Sequence, residues 1–171
     1  KLKSFFDESQ FYYREDFNKE IVEKSEMVIA FGGDNHFQYI SHYIDDQLIM
    51  GINSDILSSD GALTYFDMNN FEKVIESIKN DKFIVEEWTR VQAILNGKKI
   101  TPATSEIFIG EYERKYMSRH VLEYQGKSEE QKCSGLLISS GAGSTGWYDS
   151  SSRYLDSEGK TLGIEVLNAS K

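Results

Sequence analysis

Met27 to Phe31, MVIAF, is an unbroken apolar run, and it predicts a strand buried on both faces. Ahead of it, DFNKEIVEKS (16 to 25) reads as a short polar helix with Ile21 and Val22 turned inward. Behind it, Phe37, Ile40 and Ile44 fall at i, i+3 and i+7, one face of a helix between Asn35 and Asp46. LIMGIN (48 to 53) is a second apolar strand. Strand, helix and strand within about thirty residues make a parallel βαβ unit. Ligands of open parallel sheets bind just beyond the carboxyl ends of the strands, where Asp34 and Asn53 fall, so the two are expected to be neighbours. Residues 54 to 67 read as loop and 69 to 80 as a capped helix.

The pattern then changes. FIVEEWTRVQAI (83 to 94) reads as long and β-rich, and Asn96-Gly97 is a strong type I′ hairpin signal. SEIFIGEY, SRHVLEY and GLLISS follow as strands, separated by polar turns such as Gln125-Gly126-Lys127. The expected organisation is an N-terminal α/β domain over residues 1–81 and a β-rich domain over 82–171, each partial.

Composition narrows the chemistry. A chain of 171 residues buries roughly 70% of its unfolded surface. The net charge of −9 argues against a nucleic-acid footprint, while leaving room for a phosphate pocket. No run reaches the roughly 18 apolar residues of a membrane span. One cysteine, Cys133, excludes an internal disulfide and a cysteine zinc cage and fits a reducing compartment. Three dispersed histidines form no metal-binding spacing, so no metal ligands are assigned. The chain starts at Lys1 without a methionine, and a trimmed tag, transit segment or upstream domain is compatible with that start.

Two loops carry candidate chemistry. Gly32 and Gly33 let the backbone turn sharply, and Asp34 can cap a helix, hold a metal or take a proton. Residues 139 to 147, SSGAGSTGW, end another apolar strand with glycines beside the hydroxyls of Ser144 and Thr145, a composition suited to phosphate or ribose contacts. Taken singly, each is equally a tight turn.

Taken in order they are more specific. GGDNHF, GINSD, GALTY, PATSEIFIGE and SGLLISSGAGSTGW resemble the NAD kinase family, which carries GGDGT, GxN, a G-x-LG-aromatic element, an Asn-Glu pair and a TGST loop. The likeness runs from about Asp16 to Trp147. Ser134-Gly135-Leu136 before the second loop is most similar to the divergent, mitochondrial-type branch.

The resemblance implies an NAD-kinase-like α/β + β fold, with parallel strands in an N-terminal α/β domain and a β-sandwich-type domain after it. It also implies transfer of the ATP γ-phosphoryl group to the 2′-hydroxyl of the adenosine ribose of NAD, giving NADP, with Mg²⁺ as divalent metal. Asp34 matches the catalytic aspartate. Gly32, Gly33 and Asn35 would line nucleotide phosphates, Asn53 would face the dinucleotide, and Tyr65 would pack on an adenine. Ser105 and Glu106 stand for the Asn-Glu pair, and Gly143, Ser144 and Thr145 for the TGST loop.

Departures keep alternatives open. Asn35 and His36 replace the Gly-Thr of GGDGT, Ser105 replaces an asparagine, and Gly141-Ala142 replaces Pro-Thr. A protonated His36 is one candidate phosphate contact, with activity rising as the pH falls toward about 6.5; a helix-surface histidine is the other reading. A catalytically weak or inactive dinucleotide-binding relative is one alternative function. A lipid or sugar kinase is another, although lipid kinases share GGDGT without the downstream GxN and TGST elements. Residues 148 to 171 do not match the strands and last helix that follow the TGST loop in the family, so a cut or shortened chain and a homo-oligomer are expected. The implied location is cytoplasmic, or mitochondrial if a transit segment precedes Lys1.

Overall fold

The run Met27–Phe31 forms strand β1 in the structure, a computed structural model that describes residues 11–59, 61–113 and 115–152. The strand is not buried on both faces as its apolar run suggests: Val28 and Ala30 are buried, whereas Met27 and Ile29 on the other face are half-buried and Phe31 is exposed. The chain divides into two units, Lys1–Glu87 and Trp88–Lys171.

In the first unit, helix α1 (Lys19–Glu23) is capped by Asn18, whose side chain accepts the Ile21 N–H at 3.3 Å, and it buries Val22. After β1 comes α2 (Asp34–Ser41), which buries Phe37 and Ile40. It is shorter than the expected 35–46, yet Ile44 is still buried. Three i→i−3 bonds, from the amides of His42, Tyr43 and Ile44, carry a tightened turn past the helix end. Strand β2 (Leu48–Asn53) pairs parallel with β1, from Met27 opposite Leu48 to Phe31 opposite Ile52. The expected βαβ unit is thus formed.

The stretch expected as loop closes with a third parallel strand, β3 (Phe66–Asp67), opposite Ile52 and Asn53. Helix α3 (Phe71–Lys79) follows. Asp67 prepares its start, accepting the amides of Asn69 and Asn70, while Asn70 Oδ1 accepts the Asp67 amide at 3.0 Å. The core joins α3 to the sheet: Ile52, Phe71 and Ile75 are buried, with Ile29, Met50, Phe66, Met68 and Ile78 packed around them. Each such buried side chain contributes about 1.5–3 kcal/mol.

The second unit is antiparallel. Strands β4 (Ile94–Leu95) and β5 (Lys98–Lys99) form the hairpin that Asn96-Gly97 signals, with φ +50° and +77° at the turn. Then come β6 (Glu106–Ile109), β7 (Ser118–Tyr124), β8 (Lys127–Cys133), β9 (Leu136–Ser139) and helix α4 (Trp147–Ser152). β6 pairs with β9 and β7 with β8. Phe108 stacks on Trp147 with ring centroids 5.1 Å apart. The architecture is therefore an α/β unit followed by an antiparallel β unit, as the family resemblance implies.

Two expectations need correction. Residues 83 to 93 form no strand, only an isolated bridge between Val91 and Ala103, and Ile84 is 93% exposed. Strand propensity acts through a pairing partner and a packed face, and the Glu86-Glu87 pair breaks the alternation that would supply one. Conversely, β8 was not expected, because KSEEQKC carries no apolar alternation. Its strand form comes from pairing with β7 through the turn at Gln125 and Gly126, both at positive φ. Among the described residues, no helix is long and apolar enough to cross a membrane.

Candidate functional site

At the carboxyl end of the parallel sheet the ladder outlasts the strands. The Gly32 amide donates to Ile52 O at 2.9 Å, and the Ser54 amide donates to Gly32 O at 3.4 Å. The loops after β1 and β2 therefore start side by side. Close neighbours explain both glycines: a Cβ on Gly32 would lie 2.8 Å from the Cβ of His36, and one on Gly33 would lie 3.3 Å from Ser59 Oγ. Gly33 is the N-cap of α2, in extended backbone.

Asp34 is the first residue of α2, and neither it nor Asn35 caps the helix, contrary to the capping alternative. The Asp34 carboxylate reaches instead to a loop some thirty residues on. Its Oδ2 accepts the Ala62 amide at 2.9 Å, and its Oδ1 accepts the Leu63 amide at 2.9 Å and the Thr64 hydroxyl at 3.1 Å. Asn53, buried at the end of β2, holds the same loop nearer its start. Its Nδ2 donates to Ser59 O at 3.0 Å and its Oδ1 accepts the Asp55 amide at 2.9 Å. Gly61, at φ +68°, fits between them: a Cβ there would lie 2.7 Å from Asn53 Nδ2 and 3.0 Å from Thr64 O. Asp34 and Asn53 are thus brought together through one loop.

Around this centre Asn35 is exposed on the first turn of α2, and Tyr65, immediately after Thr64, is 67% exposed. His36 is half-buried, and its pKa lies below 6.5, first because burial penalises the charged imidazole and second because Arg14 repels it. The protonated His36 considered from the sequence is accordingly disfavoured near pH 6.5. Arg14 itself lies 4.0 Å over the Tyr39 ring.

The second unit assembles the other candidate residues. Ser140, after β9, donates its amide to Ser105 O at 2.8 Å and its hydroxyl to Thr104 O, while its Oγ accepts the Gly143 amide at 3.3 Å. These bonds fold the glycine-rich loop onto the start of β6. A Cβ on Gly143 would overlap the Ser105 carbonyl oxygen, so only glycine fits without displacement. Ser144 folds back on Gly141 O through its amide and hydroxyl, at 3.2 and 2.7 Å, and both it and Thr145 are exposed.

Ser105 is buried, and its Oγ has no hydrogen-bond partner among the described residues. An unmet buried hydroxyl costs about 1–3 kcal/mol, and a ligand or a water can satisfy it. Burial raises the pKa of the adjacent Glu106 carboxyl. Ser105, Glu106 and Gly143 are therefore close together, with Ser144 and Thr145 at the loop surface.

Two residues not singled out from the sequence organise these clusters, Thr64 and Ser140. Both are buried hydroxyls inside the quoted motifs, GALTY and LLISSGAG, and a hydroxyl amid small and apolar neighbours was the available signal. Among the described residues no group of three or more His, Cys, Asp or Glu could hold a metal ion.

Compared with solved structures, the chain is similar to an NAD kinase from Archaeoglobus fulgidus in complex with ATP, with a TM-score of 0.65 and 25% identity over 78% of this chain and 52% of that one. It is also similar in fold to yeast NADH kinase complexed with NADH, with a TM-score of 0.64 and 16% identity over 89% of this chain and 43% of that one. The chain spans about half the length of these structures. No protein-family model and no curated protein matches it.

Proposed function

From its similarity in fold to NAD and NADH kinases, we propose that this chain is an NAD kinase. It transfers the γ-phosphoryl group of ATP to the 2′-hydroxyl of the adenosine ribose of NAD, giving NADP and ADP. The observation that carries this reading is the place of Asp34: a carboxylate just beyond the carboxyl end of a parallel strand, beside a helix N-terminus and two glycines.

Phosphoryl transfer asks a protein mainly for positioning and charge neutralisation, with one group to accept the hydroxyl proton. Asp34 is that group. Gly33 and Asn35 approach phosphates with backbone amides at the start of α2. Gly32 gives the close approach of a residue without a side chain while its own amide stays in the sheet ladder, and Asn53 holds the neighbouring loop that presents Tyr65 for stacking. In the second unit, Ser105 and Glu106 offer an unpartnered hydroxyl and a carboxyl to ligand hydroxyls or amides, Gly143 lets the loop lie against Ser105, and Ser144 and Thr145 offer exposed hydroxyls. Mg²⁺ enters with ATP as part of the substrate, carried by phosphate oxygens and water, as is usual for this ion.

A dinucleotide-binding relative with little or no turnover is the second reading. It is favoured by Asn35, which adds a side chain where the family's glycine allows closest approach, and by the three donors already on the Asp34 carboxylate. The test is NADP formation by the purified chain with ATP, Mg²⁺ and NAD, beside an Asp34→Asn control. Product that falls about 10²–10⁴-fold in the control supports the kinase. Calorimetric binding of NAD with no product supports the second reading.

A further inference from the structure

The three donors on Asp34 are unequally shared between its oxygens. Oδ1 accepts two, from the Leu63 amide and the Thr64 hydroxyl, whereas Oδ2 accepts only the Ala62 amide. An ionised carboxylate has about four lone-pair sites, two on each oxygen. Oδ1 is therefore filled, and Oδ2 keeps one acceptor site.

We propose that Thr64 is a positioning residue: its buried hydroxyl ties down Oδ1 and so makes Oδ2 the oxygen that meets the acceptor hydroxyl. The inference rests on the reading of Asp34 as the proton acceptor. In the step itself the 2′-oxygen forms its bond to Pγ, the bond from Pγ to the bridging oxygen of ADP breaks, and the 2′-hydroxyl proton passes to Oδ2.

Packing fixes which way Thr64 faces. The residue is buried, and its methyl lies against β2, where a Cβ on Gly51 would come within 2.7 Å of Thr64 Cγ2. β-branching restricts χ1, and seating the methyl on the sheet leaves the hydroxyl to Asp34. The two amides are set by the loop backbone, which Gly61 turns at φ +68° and the Thr64 amide closes onto Gly61 O at 3.2 Å.

Two substitutions separate positioning from packing. Thr64→Val keeps the methyl and removes the donor; Thr64→Ser keeps the donor and removes the methyl. For NADP formation, Thr64→Val is expected to lower kcat about tenfold with KM for NAD within about threefold, and Thr64→Ser to stay within about threefold of the parent in both. A merely structural role gives the opposite order, since the serine variant loses the buried methyl. Equal kcat in parent and valine variant, or a serine variant as slow as the valine, overturns the proposal.

Amide hydrogen exchange tests the asymmetry without turnover. In Asp34→Asn the side-chain oxygen is expected to take the Oδ1 position, where it serves two donors, which turns the NH₂ toward the Ala62 amide. Exchange at Ala62 should then rise about tenfold while Leu63 stays within about threefold, with Ile29 and Met50 in the sheet as unchanged references. Equal acceleration at both loop amides, or none, refutes the shared-oxygen arrangement. A parent chain that forms no NADP sinks the kinase reading and the role of Oδ2 with it, whereas the exchange pattern still decides whether Oδ1 is the tied oxygen.

Discussion

Asn53 and Asp34 hold one loop at two points: Asn53 Nδ2 donates to Ser59 O at 3.0 Å, and Asp34 Oδ2 accepts the Ala62 amide at 2.9 Å. Asn53 ends β2, and Asp34 opens α2 three residues after the end of the adjacent parallel strand β1, so the loop is bound to the rim of the sheet. Its shape is then a property of the strands beneath it, and disturbing the loop should register in fold stability as well as in binding.

Gly61 is where that shape is most exposed to substitution. Gly61→Ala places a β-carbon at φ +68° and 2.7 Å from Asn53 Nδ2. The expected cost is about 1–3 kcal/mol, read as a lower urea midpoint with unchanged slope. A midpoint equal to the parent's would mean that the loop is not held as described.

His36 gives a pH dependence with a definite sign. Its folded pKa lies below 6.5, so as the pH falls the unfolded chain takes up the proton first. The histidine's contribution to stability is present above 6.5 and is lost as the pH falls through the folded pKa. The stability advantage of the parent over His36→Gln should therefore shrink between about pH 7.5 and 5.5. An advantage that is constant or grows toward acid, measured by urea unfolding, would contradict the burial of a neutral imidazole.

Glu106 has the opposite sign. Burial raises its folded pKa above 4.5, so the folded state is penalised once the unfolded chain ionises, above that pH. Glu106→Gln should raise the melting temperature at pH 7 more than at pH 4. If Glu106 also meets a nucleotide, the same variant should bind NAD more weakly while melting higher. Weaker binding with lower stability would identify it as a structural acid instead.

Gly143 tests the second loop. Gly143→Ala must push the loop away from the Ser105 carbonyl, which already accepts the Ser140 amide at 2.8 Å. A loss of nucleotide affinity of about tenfold or more by calorimetry is expected, with the β6–β9 pairing still intact by amide exchange. Unchanged affinity would remove this loop from the binding surface.

The local pattern carries the first unit well, because MVIAF and LIMGIN are largely apolar runs between polar stretches, and their pairing needs only a short helix between them. The Asn96-Gly97 hairpin was equally plain, since a type I′ turn needs positive φ at both positions. Strand β8 was not visible, because nothing in KSEEQKC distinguishes a paired polar strand from a polar loop until β7 supplies its hydrogen bonds. The stretch from Phe83 is the complementary case: it has β-favouring residues but, apart from the single bridge at Val91, no strand partner among the described residues. In the candidate site, the motifs located Asp34 and Asn53, but not what their side chains touch. The bonds from Asp34 to Ala62, Leu63 and Thr64 span 28 to 30 residues, and no local periodicity encodes a contact of that range.

Because β1 and β2 run in parallel from Met27 opposite Leu48 to Phe31 opposite Ile52, the heights of Gly32 and Asn53 are counted off by the same ladder. Strands of this kind behave like two rulers clamped at one end. Deleting a single residue from Leu48–Asn53 would draw Asn53 back by about 3.3 Å and turn its side chain to the other face of the sheet. The site therefore depends on the strand lengths beneath it as much as on the side chains it displays: a change of length in either strand would move Asn53 or Gly32 off the shared ladder even if every loop residue were kept.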